Sequence, residues 1–262
     1  MTNQAFLQTY GPWALITGAS TGIGETFAKH LARKGFNLVL VARRKEQLDQ
    51  LASELSSQHS IECRTIPADM SQLNEVEHVI EKTNNLDIGL LIPNAGVEYH
   101  APFDQQEWAQ LDNLMQVNMT APTRLAHHFA KIMKSKKSGG IIFVSSIAGF
   151  FASCHFAQYS ASKGYIQLLS EAMYQELKPF NVDVLALAPG PTDTNMGNQV
   201  VSDMRGPRQP LLSRDAVVSA AISQLGRKPF VIPGFFYKSV IFLVTRLLPR
   251  RLSTFITKIL YD

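Results

Sequence analysis

The segment from Val144 to Lys163, VSSIAGFFASCHFAQYSASK, holds residues that could polarise a carbonyl group. Tyr159 and Lys163 are four residues apart, so on a helix their side chains share one face. A free tyrosine has a pKa of about 10 and is a poor acid at neutral pH. A neighbouring ammonium would lower that pKa, and Ser146, at the end of the preceding strand, could hold a substrate oxygen. A tyrosine and a lysine at this spacing also occur by chance, so the interpretation depends on the rest of the chain.

A strand, a glycine loop and a helix follow one another near the N terminus. Trp13–Thr17 and Asn37–Ala42 are apolar runs that predict strands, and residues 25–34 between them predict a helix. Glycines spaced G-x-x-x-G-x-G let the backbone approach a pyrophosphate at the start of that helix. The predicted nucleotide contacts in this loop are Gly18, Ser20, Thr21, Gly22, Ile23 and Gly24.

The end of the second strand indicates which nucleotide would bind. An acidic residue about 20 residues beyond the glycine loop usually binds a ribose 2′-hydroxyl. Here the strand ends in Arg43 and Arg44, and the first carboxylate is Glu46. Two guanidiniums can bind a 2′-phosphate through charge-assisted hydrogen bonds. A solvated basic helix start is the alternative, so the sequence favours NADP(H) over NAD(H).

Strands and helices alternate along the remaining chain. This alternation predicts an α/β, doubly wound Rossmann fold, with a parallel seven-stranded sheet and helices on both faces. The sequence contains no linker or repeat, so we predict a single Rossmann-type catalytic domain over residues 1–262. Further strands are predicted at residues 61–67, 88–93, 140–145 and 182–188, and further helices at 45–57, 73–84, 108–134 and 155–180.

Polar and small residues follow several of these strands. Because ligands bind at the carboxyl ends of parallel strands, we expect them to surround the nucleotide. Asp69 could accept a hydrogen bond from the adenine amino group, and Asn94 begins a turn of small residues beside the cofactor. Asn118 lies in mid-helix among apolar residues, where an asparagine is more often a satisfied core group than a catalyst. Further predicted cofactor contacts are Met70, Ala95 and Gly96.

The glycine loop, the polar residues after the strands and the Tyr159–Lys163 pair together resemble those of the classical short-chain dehydrogenases/reductases. The resemblance extends from roughly residue 13 to residue 232. A looser likeness, in residues 10–13 and 41–44, is to the branch that contains 3-ketoacyl reductases and 17β-hydroxysteroid dehydrogenases. The matching residues are Thr17-Gly18-x-x-x-Gly22-Ile23-Gly24, Asn94-Ala95-Gly96, Asn118, Ser146, Tyr159-x-x-x-Lys163 and Pro189-Gly190.

The resemblance implies a role for each polar residue. Tyr159 would donate a proton in reduction and accept one in oxidation, and Ser146, rather than Ser145, would polarise the substrate carbonyl. Lys163 would lower the tyrosine pKa and hold the nicotinamide ribose, while Asn118 would position a water that relays protons. Arg43 matches the NADP-preferring members. Cofactor contacts are implied at Pro189, Gly190, Thr192 and Thr194 as well, with Thr194 at the nicotinamide carboxamide.

Two variable regions would shape the substrate pocket. Residues 190–212, which include Met196, Met204, Pro207 and Pro210, are predicted to form a lid. Aromatic residues between Ser146 and Tyr159 favour an apolar substrate, although core packing explains them equally well. His155 is expected at the surface or the pocket rim rather than as a further acid. These intervening residues are Phe150, Phe151, Cys154, His155 and Phe156.

The chain ends in an amphipathic extension, residues 235–262, predicted as two helices broken at Pro249. Its longest uncharged run, residues 239–245, is far shorter than the ~20 residues of a spanning helix. An apolar face with basic residues suits peripheral contact with an anionic membrane. A helical cap on the pocket or on a second subunit is the favoured alternative. The basic residues are Lys238, Arg246, Arg250, Arg251 and Lys258.

Composition excludes several functional classes. The chain has 262 residues, a formal net charge of +4 and two cysteines, Cys63 and Cys154. The basic excess lies in the C-terminal extension, which argues against nucleic-acid binding. Two cysteines without a CxxC pair or a histidine cluster predict neither a disulfide framework nor a metal site. With no apparent signal peptide, we expect a cytoplasmic protein, which the tail could also place peripherally at the membrane. The family resemblance implies a homodimer or homotetramer.

These observations predict an NADPH-dependent oxidoreductase that acts on a carbonyl or secondary alcohol, with an apolar ketone or 3-ketoacyl substrate. Two alternatives stay open from the sequence. One is an NAD-linked hydroxysteroid or sugar-alcohol dehydrogenase, and the other is a dinucleotide-sensing scaffold without catalysis.

Overall fold

The structure is a computed structural model. It describes residues 2–203 and 209–249, together with 251, 252, 254, 255 and 258. Met204, Pro207 and Arg250 lie outside the described residues, as does part of the second helix predicted after Pro249.

A seven-stranded parallel sheet forms the centre of the fold, in the order β3-β2-β1-β4-β5-β6-β7. The predicted doubly wound sheet is thereby confirmed. Neighbouring strands end together, since Thr17 pairs with Val41 and Val144 pairs with Leu187. The strands are β1 (Trp13–Thr17), β2 (Asn37–Ala42), β3 (Cys63–Pro67), β4 (Ile88–Ile92), β5 (Gly139–Val144), β6 (Val182–Leu187) and β7 (Phe230–Val231).

Helices cover both faces of this sheet. Successive residues of β1 point to opposite sides, so Ile16 packs in one apolar cluster and Leu15 in the other. The first cluster holds α1, α2, α3 and α9, and the second holds α4, α6 and α7. The helices are α1 (Asn3–Tyr10), α2 (Gly22–Ala32), α3 (Lys45–His59), α4 (Leu73–Thr83), α5 (Trp108–Met115), α6 (Ala121–Lys136), α7 (Ala157–Leu177), α8 (Asn195–Asp203), α9 (Arg214–Gln224) and α10 (Phe235–Phe242).

Several predicted boundaries differ from those observed. The helix predicted over residues 108–134 is interrupted by a π-helical turn, Gln116–Thr120, between α5 and α6. The helix predicted from residue 155 begins at Ala157, because His155 has a φ of 62°, which a right-handed helix does not accept. The strand predicted from residue 61 begins at Cys63. The sequence analysis also missed α1 and α9 and did not locate β7.

The lid and the tail contain more helix than expected. The predicted lid, residues 190–212, includes α8. In the tail, α10 continues into a second π-helical turn, Leu243–Leu247, which ends before Pro249. In the part of the chain that the structure describes, no helix is both long and apolar enough to traverse a bilayer.

Candidate functional site

A cavity of about 710 Å³ opens at the carboxyl edge of the sheet. It brings together the glycine loop, the ends of β2, β4 and β5, the first turns of α7, and the lid. Of the predicted site residues, Gly24 and Asn118 do not line it. Those that do are Gly18, Ser20, Thr21, Gly22, Ile23, Arg43, Arg44, Asp69, Met70, Asn94, Ala95, Gly96, Ser146, Tyr159, Lys163, Pro189, Gly190, Thr192 and Thr194.

The glycine loop encloses an open space, which we call the cradle, that side chains at the glycine positions would fill. Gly18 has a φ of 65°, and a Cβ atom there would lie 2.9 Å from the Cα atom of Ala95. A Cβ atom on Gly24 would lie 2.2 Å from the Gly18 carbonyl oxygen, so a side chain at position 24 would displace the loop. The first residues of α2, Gly22 and Ile23, line the same cavity, and a helix N terminus attracts anions. This shape fits the pyrophosphate of a dinucleotide.

Hydrogen bonds fix the loop to the end of β4. The Asn94 side-chain amide donates to the carbonyl oxygens of Thr17, at 2.9 Å, and Gly18, at 3.2 Å. The Thr17 hydroxyl oxygen accepts from the backbone amides of Asn94 and Ala95, both at 3.0 Å. The sequence analysis identified Thr17 only as part of a motif, although it joins both walls of the cradle. A threonine that ends a strand just before the glycines was the available signal.

Two arginines stand at the outer end of the cradle. Both Arg43 and Arg44 are exposed and line the cavity. The Arg44 guanidinium donates to the hydroxyls of Ser20, at 3.1 Å, and Thr21, at 3.3 Å. These bonds hold a positive charge against the glycine loop, where a phosphate group would be attracted.

Asp69 and Met70 lie beyond β3, on the far side of the same cavity. The Asp69 carboxylate accepts from the backbone amide of Ser71 at 2.9 Å, which orients it in the turn before α4. Met70 is buried and packs in the second apolar cluster. The pair thus offers one oriented acceptor beside an apolar wall.

Tyr159 and Lys163 lie on one face of α7, as their spacing predicts. The Lys163 Nζ lies 5.7 Å from the centre of the Tyr159 ring and donates to the Val144 carbonyl oxygen at 2.9 Å. Burial lowers the pKa of the Lys163 ammonium to about 8, although the nearby Glu98 carboxylate opposes this shift. With this pKa, the Lys163 ammonium can lose its proton slightly above neutral pH.

The two serines after β5 have different surroundings. Ser145 is 2% exposed, and its hydroxyl donates to the Lys163 carbonyl oxygen at 2.9 Å. Ser146 is half-buried and lines the cavity, where its hydroxyl oxygen accepts from the Ala148 amide at 3.2 Å. The Ser146 oxygen already has a donor, so its own proton is available to a ligand in the cavity.

Asn118 lies in the π-helical turn behind the cavity and is 2% exposed. Its side-chain oxygen accepts from the Val97 amide at 2.9 Å, and its nitrogen donates to the Val97 carbonyl at 2.9 Å. The same nitrogen donates to Ser162 at 3.2 Å. A Cβ atom on Gly96 would lie 3.5 Å from both Asn118 Oδ1 and Lys163 Nζ, so the two groups are neighbours. Asn118 is thus a satisfied buried amide next to the ammonium.

The segment after β6 closes the other side of the site. The Pro189 carbonyl accepts from the Ile147 amide at 3.0 Å, and the Thr192 hydroxyl donates to the Gly190 carbonyl at 2.9 Å. Thr194 faces the glycine loop, since a Cβ atom on Gly22 would lie 3.1 Å from its methyl carbon. Its hydroxyl oxygen caps α8 by accepting from the Gly197 amide at 3.0 Å.

Apolar side chains occupy part of the remaining wall. Of the intervening aromatic residues, Phe151 and Phe156 line the cavity. The Phe156 ring also stacks on His100, with ring centres 4.6 Å apart. His155 is half-buried and is not among the lining residues, so it is not placed to act as a further acid. Glu98 and Asn113 are two polar lining residues that the sequence did not indicate. Glu98 follows β4 in a segment without a periodic pattern, and Asn113 lies on α5, where helical spacing alone does not show that a residue faces the cavity.

The tail covers the rim of the cavity. Tyr237 of α10 is 1% exposed, and its hydroxyl donates to the Pro210 carbonyl of the lid at 2.6 Å. Its ring rests on Gly190, where a Cβ atom would lie 2.7 Å from the ring carbons. Tyr237 and Ile241 share an apolar cluster with Ile147. This part of the tail is a cap on the pocket, one of the two arrangements expected for it.

Among the described residues, no group of three His, Cys, Asp or Glu side chains is placed to hold a metal ion. The polar groups of the cavity are hydroxyls, one ammonium, amides, guanidiniums and the carboxylates of Glu25, Asp69, Glu98 and Asp193. Such a set suits an anionic nucleotide and a neutral oxygen-bearing substrate.

Comparison with known proteins assigns the family. Residues 12–205 match the family model described as short chain dehydrogenase. The chain is 31% identical to a 7β-hydroxysteroid dehydrogenase of Clostridium sardiniense, over 87% of this chain and 88% of that protein. It is 34% identical to a very-long-chain 3-oxoacyl-CoA reductase of Phaeosphaeria nodorum, over 84% of this chain and 66% of that protein.

Solved structures agree with this assignment. A structure from work on 7β-hydroxysteroid dehydrogenase stereoselectivity superposes with a TM-score of 0.89 at 29% identity, and covers 97% of this chain and 99% of that one. A short-chain dehydrogenase from Sphingobium yanoikuyae in complex with NADPH has a TM-score of 0.78 at 33% identity, over 85% and 87% of the two chains. The chain therefore belongs to the short-chain dehydrogenases/reductases, the NAD(P)-dependent oxidoreductases that act on CH–OH and C=O groups.

Proposed function

We propose that this chain is an NADPH-dependent reductase of a bulky apolar ketone or a 3-ketoacyl thioester, and that residues 1–262 act as one catalytic domain. The observation that carries the proposal is the position of Tyr159 and Lys163, which open into the same cavity as the glycine loop. A proton donor and a nucleotide cradle then face one reacting carbonyl.

Each group of this chain has its own role in the proposed reaction. The glycine loop, Asn94 and Thr194 would hold the nucleotide, which supplies the hydride when bound. Tyr159 gives its phenolic proton to the substrate oxygen, and Ser146 donates a hydrogen bond to the same oxygen. Lys163, as a cation, stabilises the phenolate that remains. Asn118 keeps the Val97 backbone in place beside the ammonium.

The preference for NADPH rests on Arg43 and Arg44. Both are exposed at the end of β2, and Arg44 is bound to the glycine-loop hydroxyls. A 2′-phosphate placed between them gains charge-assisted bonds that a free hydroxyl does not. The Sphingobium relative, solved with NADPH, is consistent with this choice.

The substrate class rests on the wall of the cavity. Phe151, Phe156 and Ile147 offer apolar surface next to Ser146, and the cavity of about 710 Å³ has room for more than the nucleotide's nicotinamide end. The names of the relatives, a hydroxysteroid dehydrogenase and a 3-oxoacyl-CoA reductase, belong to enzymes of large apolar substrates. We extend that substrate class to this chain.

A substrate panel tests the activity. Purified full-length protein is mixed with NADPH and with long-chain ketones, 3-ketoacyl thioesters or steroids, and loss of NADPH absorbance is followed. Turnover of at least one apolar class, and none of polar sugar ketones, is expected. Turnover confined to sugar-type substrates, or to NADH, would favour the NAD-linked alternative.

We propose in addition that the enzyme works in the cytoplasm as a homodimer or homotetramer. Trp108 on α5 and Leu168 on α7 are each 71% exposed, and both helices lie outside the sheet. A second subunit would cover these side chains. Light scattering coupled to gel filtration measures the mass, and a strictly monomeric protein would contradict the oligomer.

A further inference from the structure

The helix that caps the cavity has two different faces. From Phe235 to Leu247, α10 and the π-helical turn after it form one continuous helical segment. Tyr237 and Ile241 are buried and pack against Ile147. This inner face is fully explained by its contact with the cavity rim.

The outer face is apolar as well, and nothing in the described chain covers it. Phe235 is 86% exposed, Phe242 60% and Leu247 63%. A helix that is apolar on every side is normally covered on every side. The other exposed apolar side chains of the tail are Phe236, Leu243, Leu252 and Phe255.

Basic residues lie among these aromatic side chains. Lys238, Arg246, Arg251 and Lys258 are all exposed. Between residues 235 and 261 the sequence contains neither Asp nor Glu. The outer face therefore combines exposed phenylalanines with the positive charges of Lys238 and Arg246, and residues 235–249 contain no Asp or Glu.

We propose that this face, which we call the tail face and define as Phe235, Phe236, Phe242, Leu243 and Leu247 with Lys238 and Arg246, binds peripherally to an anionic lipid bilayer. The phenylalanine and leucine side chains enter the boundary between headgroups and acyl chains. Lys238 and Arg246 pair with lipid phosphates and carboxylates at the surface. The segment lies on the bilayer and does not cross it.

Charge distinguishes a bilayer from a second copy of this chain. In a two-fold symmetric contact, the same patch meets itself, so the interface would contain Lys238 and Arg246 from both copies and no acidic residue of the tail face. Like charges brought together in this way cost free energy. An anionic bilayer satisfies the apolar and the basic residues together, and for this reason we infer the lipid surface.

The test is co-sedimentation of the full-length protein with phosphatidylcholine vesicles that contain or lack phosphatidylserine. We expect sedimentation with the anionic vesicles, little with the neutral ones, and weakening as salt screens the charges. This comparison needs no variant. The double variant Lys238→Glu/Arg246→Glu should lose affinity at least about 25-fold, because each basic residue near the surface is worth about fivefold.

Two further variants separate the apolar and the general charge contributions. Phe235→Ser/Phe242→Ser should reduce binding even at low salt, since it removes the inserted rings. Lys82→Glu/Lys131→Glu changes the net charge equally, on exposed positions of α4 and α6, and should bind as the wild type does. Far-ultraviolet circular dichroism checks that each variant is folded.

Equal sedimentation with both vesicle types, or none with either, would overturn the proposal. So would a loss of binding in the Lys82→Glu/Lys131→Glu control that equals the loss in the tail variant. If sedimentation equilibrium instead finds a dimer that Phe235→Ser/Phe242→Ser dissociates, with no vesicle binding, a second copy covers the tail face and the bilayer does not.

Discussion

The Lys163 ammonium lies 5.7 Å from the centre of the Tyr159 ring, with one hydrogen bond to the Val144 carbonyl at 2.9 Å. The bond to β5 holds the charge on the Tyr159 side of α7. A helix and a strand that are separate in sequence thus create one electrostatic environment. The chemistry that we propose for the site depends on this arrangement.

Replacing Tyr159 by phenylalanine should reduce kcat/KM about 10²–10⁴-fold, the usual contribution of a general acid. The thermal midpoint should change little, because the ring remains. Tyr165→Phe is the matched control, since Tyr165 lies on the same helix with its hydroxyl 3.0 Å from that of Thr123. Turnover that survives in the Tyr159 variant would show that another group supplies the proton.

The pH dependence should reflect Lys163. Its pKa is about 8, so the side chain is charged below that pH and neutral above it. We expect kcat for carbonyl reduction to fall as the pH rises through about 8. In Lys163→Arg the descending limb should move to higher pH, because a guanidinium stays charged. The same limb in both proteins would assign the titration to another group.

Arg43→Ala should raise KM for NADPH and leave KM for NADH nearly unchanged. A charge-assisted bond to a phosphate is worth about 1.5–3 kcal/mol, which corresponds to a change of about 10- to 150-fold. Lys45→Ala is the control, since Lys45 is basic and exposed nearby but does not line the cavity. Equal effects on both cofactors would count against NADPH preference.

Asn118→Ala should destabilise the protein by about 1–3 kcal/mol, because it leaves the part-buried amide and carbonyl of Val97 without their side-chain partner. Urea unfolding measures the loss. Asn84→Ala, on an exposed residue that ends α4, should be nearly neutral. An unchanged midpoint in the Asn118 variant would show that these hydrogen bonds do not stabilise the fold.

Gly24→Ala and Gly96→Ala form a steric comparison. A Cβ atom on Gly24 would lie 2.2 Å from the Gly18 oxygen, whereas one on Gly96 would keep ordinary contacts of 3.5 Å. We expect Gly24→Ala to lower the thermal midpoint and to weaken nucleotide binding measured by fluorescence. Gly96→Ala should fold like the wild type. Similar midpoints in the two variants would contradict the packing seen around the glycine loop.

The sequence predicted the sheet, and the place of several candidate site residues in it, where local patterns and motifs coincide. Trp13–Thr17 is an apolar run followed at once by glycines, and both observations favour the same strand and loop. Tyr159 and Lys163 were placed on one face by spacing alone, and α7 has them there. Regular alternation of strands and helices was enough to predict the order of the layers.

Other features depend on contacts between distant residues. The π-helical turn at Asn118 has no local signal, because the asparagine is held by Val97 and Ser162. Thr2 caps the α1 helix and is a local signal for it. The burial of Phe6 and Tyr10, however, depends on their contacts in the first apolar cluster, which the sequence does not show. The seating of Tyr237 on Gly190 likewise joins two segments that no sequence period relates.

The contact between the Tyr237 ring and Gly190 makes the structure of the site depend on the C-terminal tail. Because position 190 has no side chain, the space above its backbone is filled by an aromatic ring from the other end of the molecule. A chain shortened at Pro233 would lack that ring, so water would reach the turn that follows β6 and the lid would lose its anchor at Pro210.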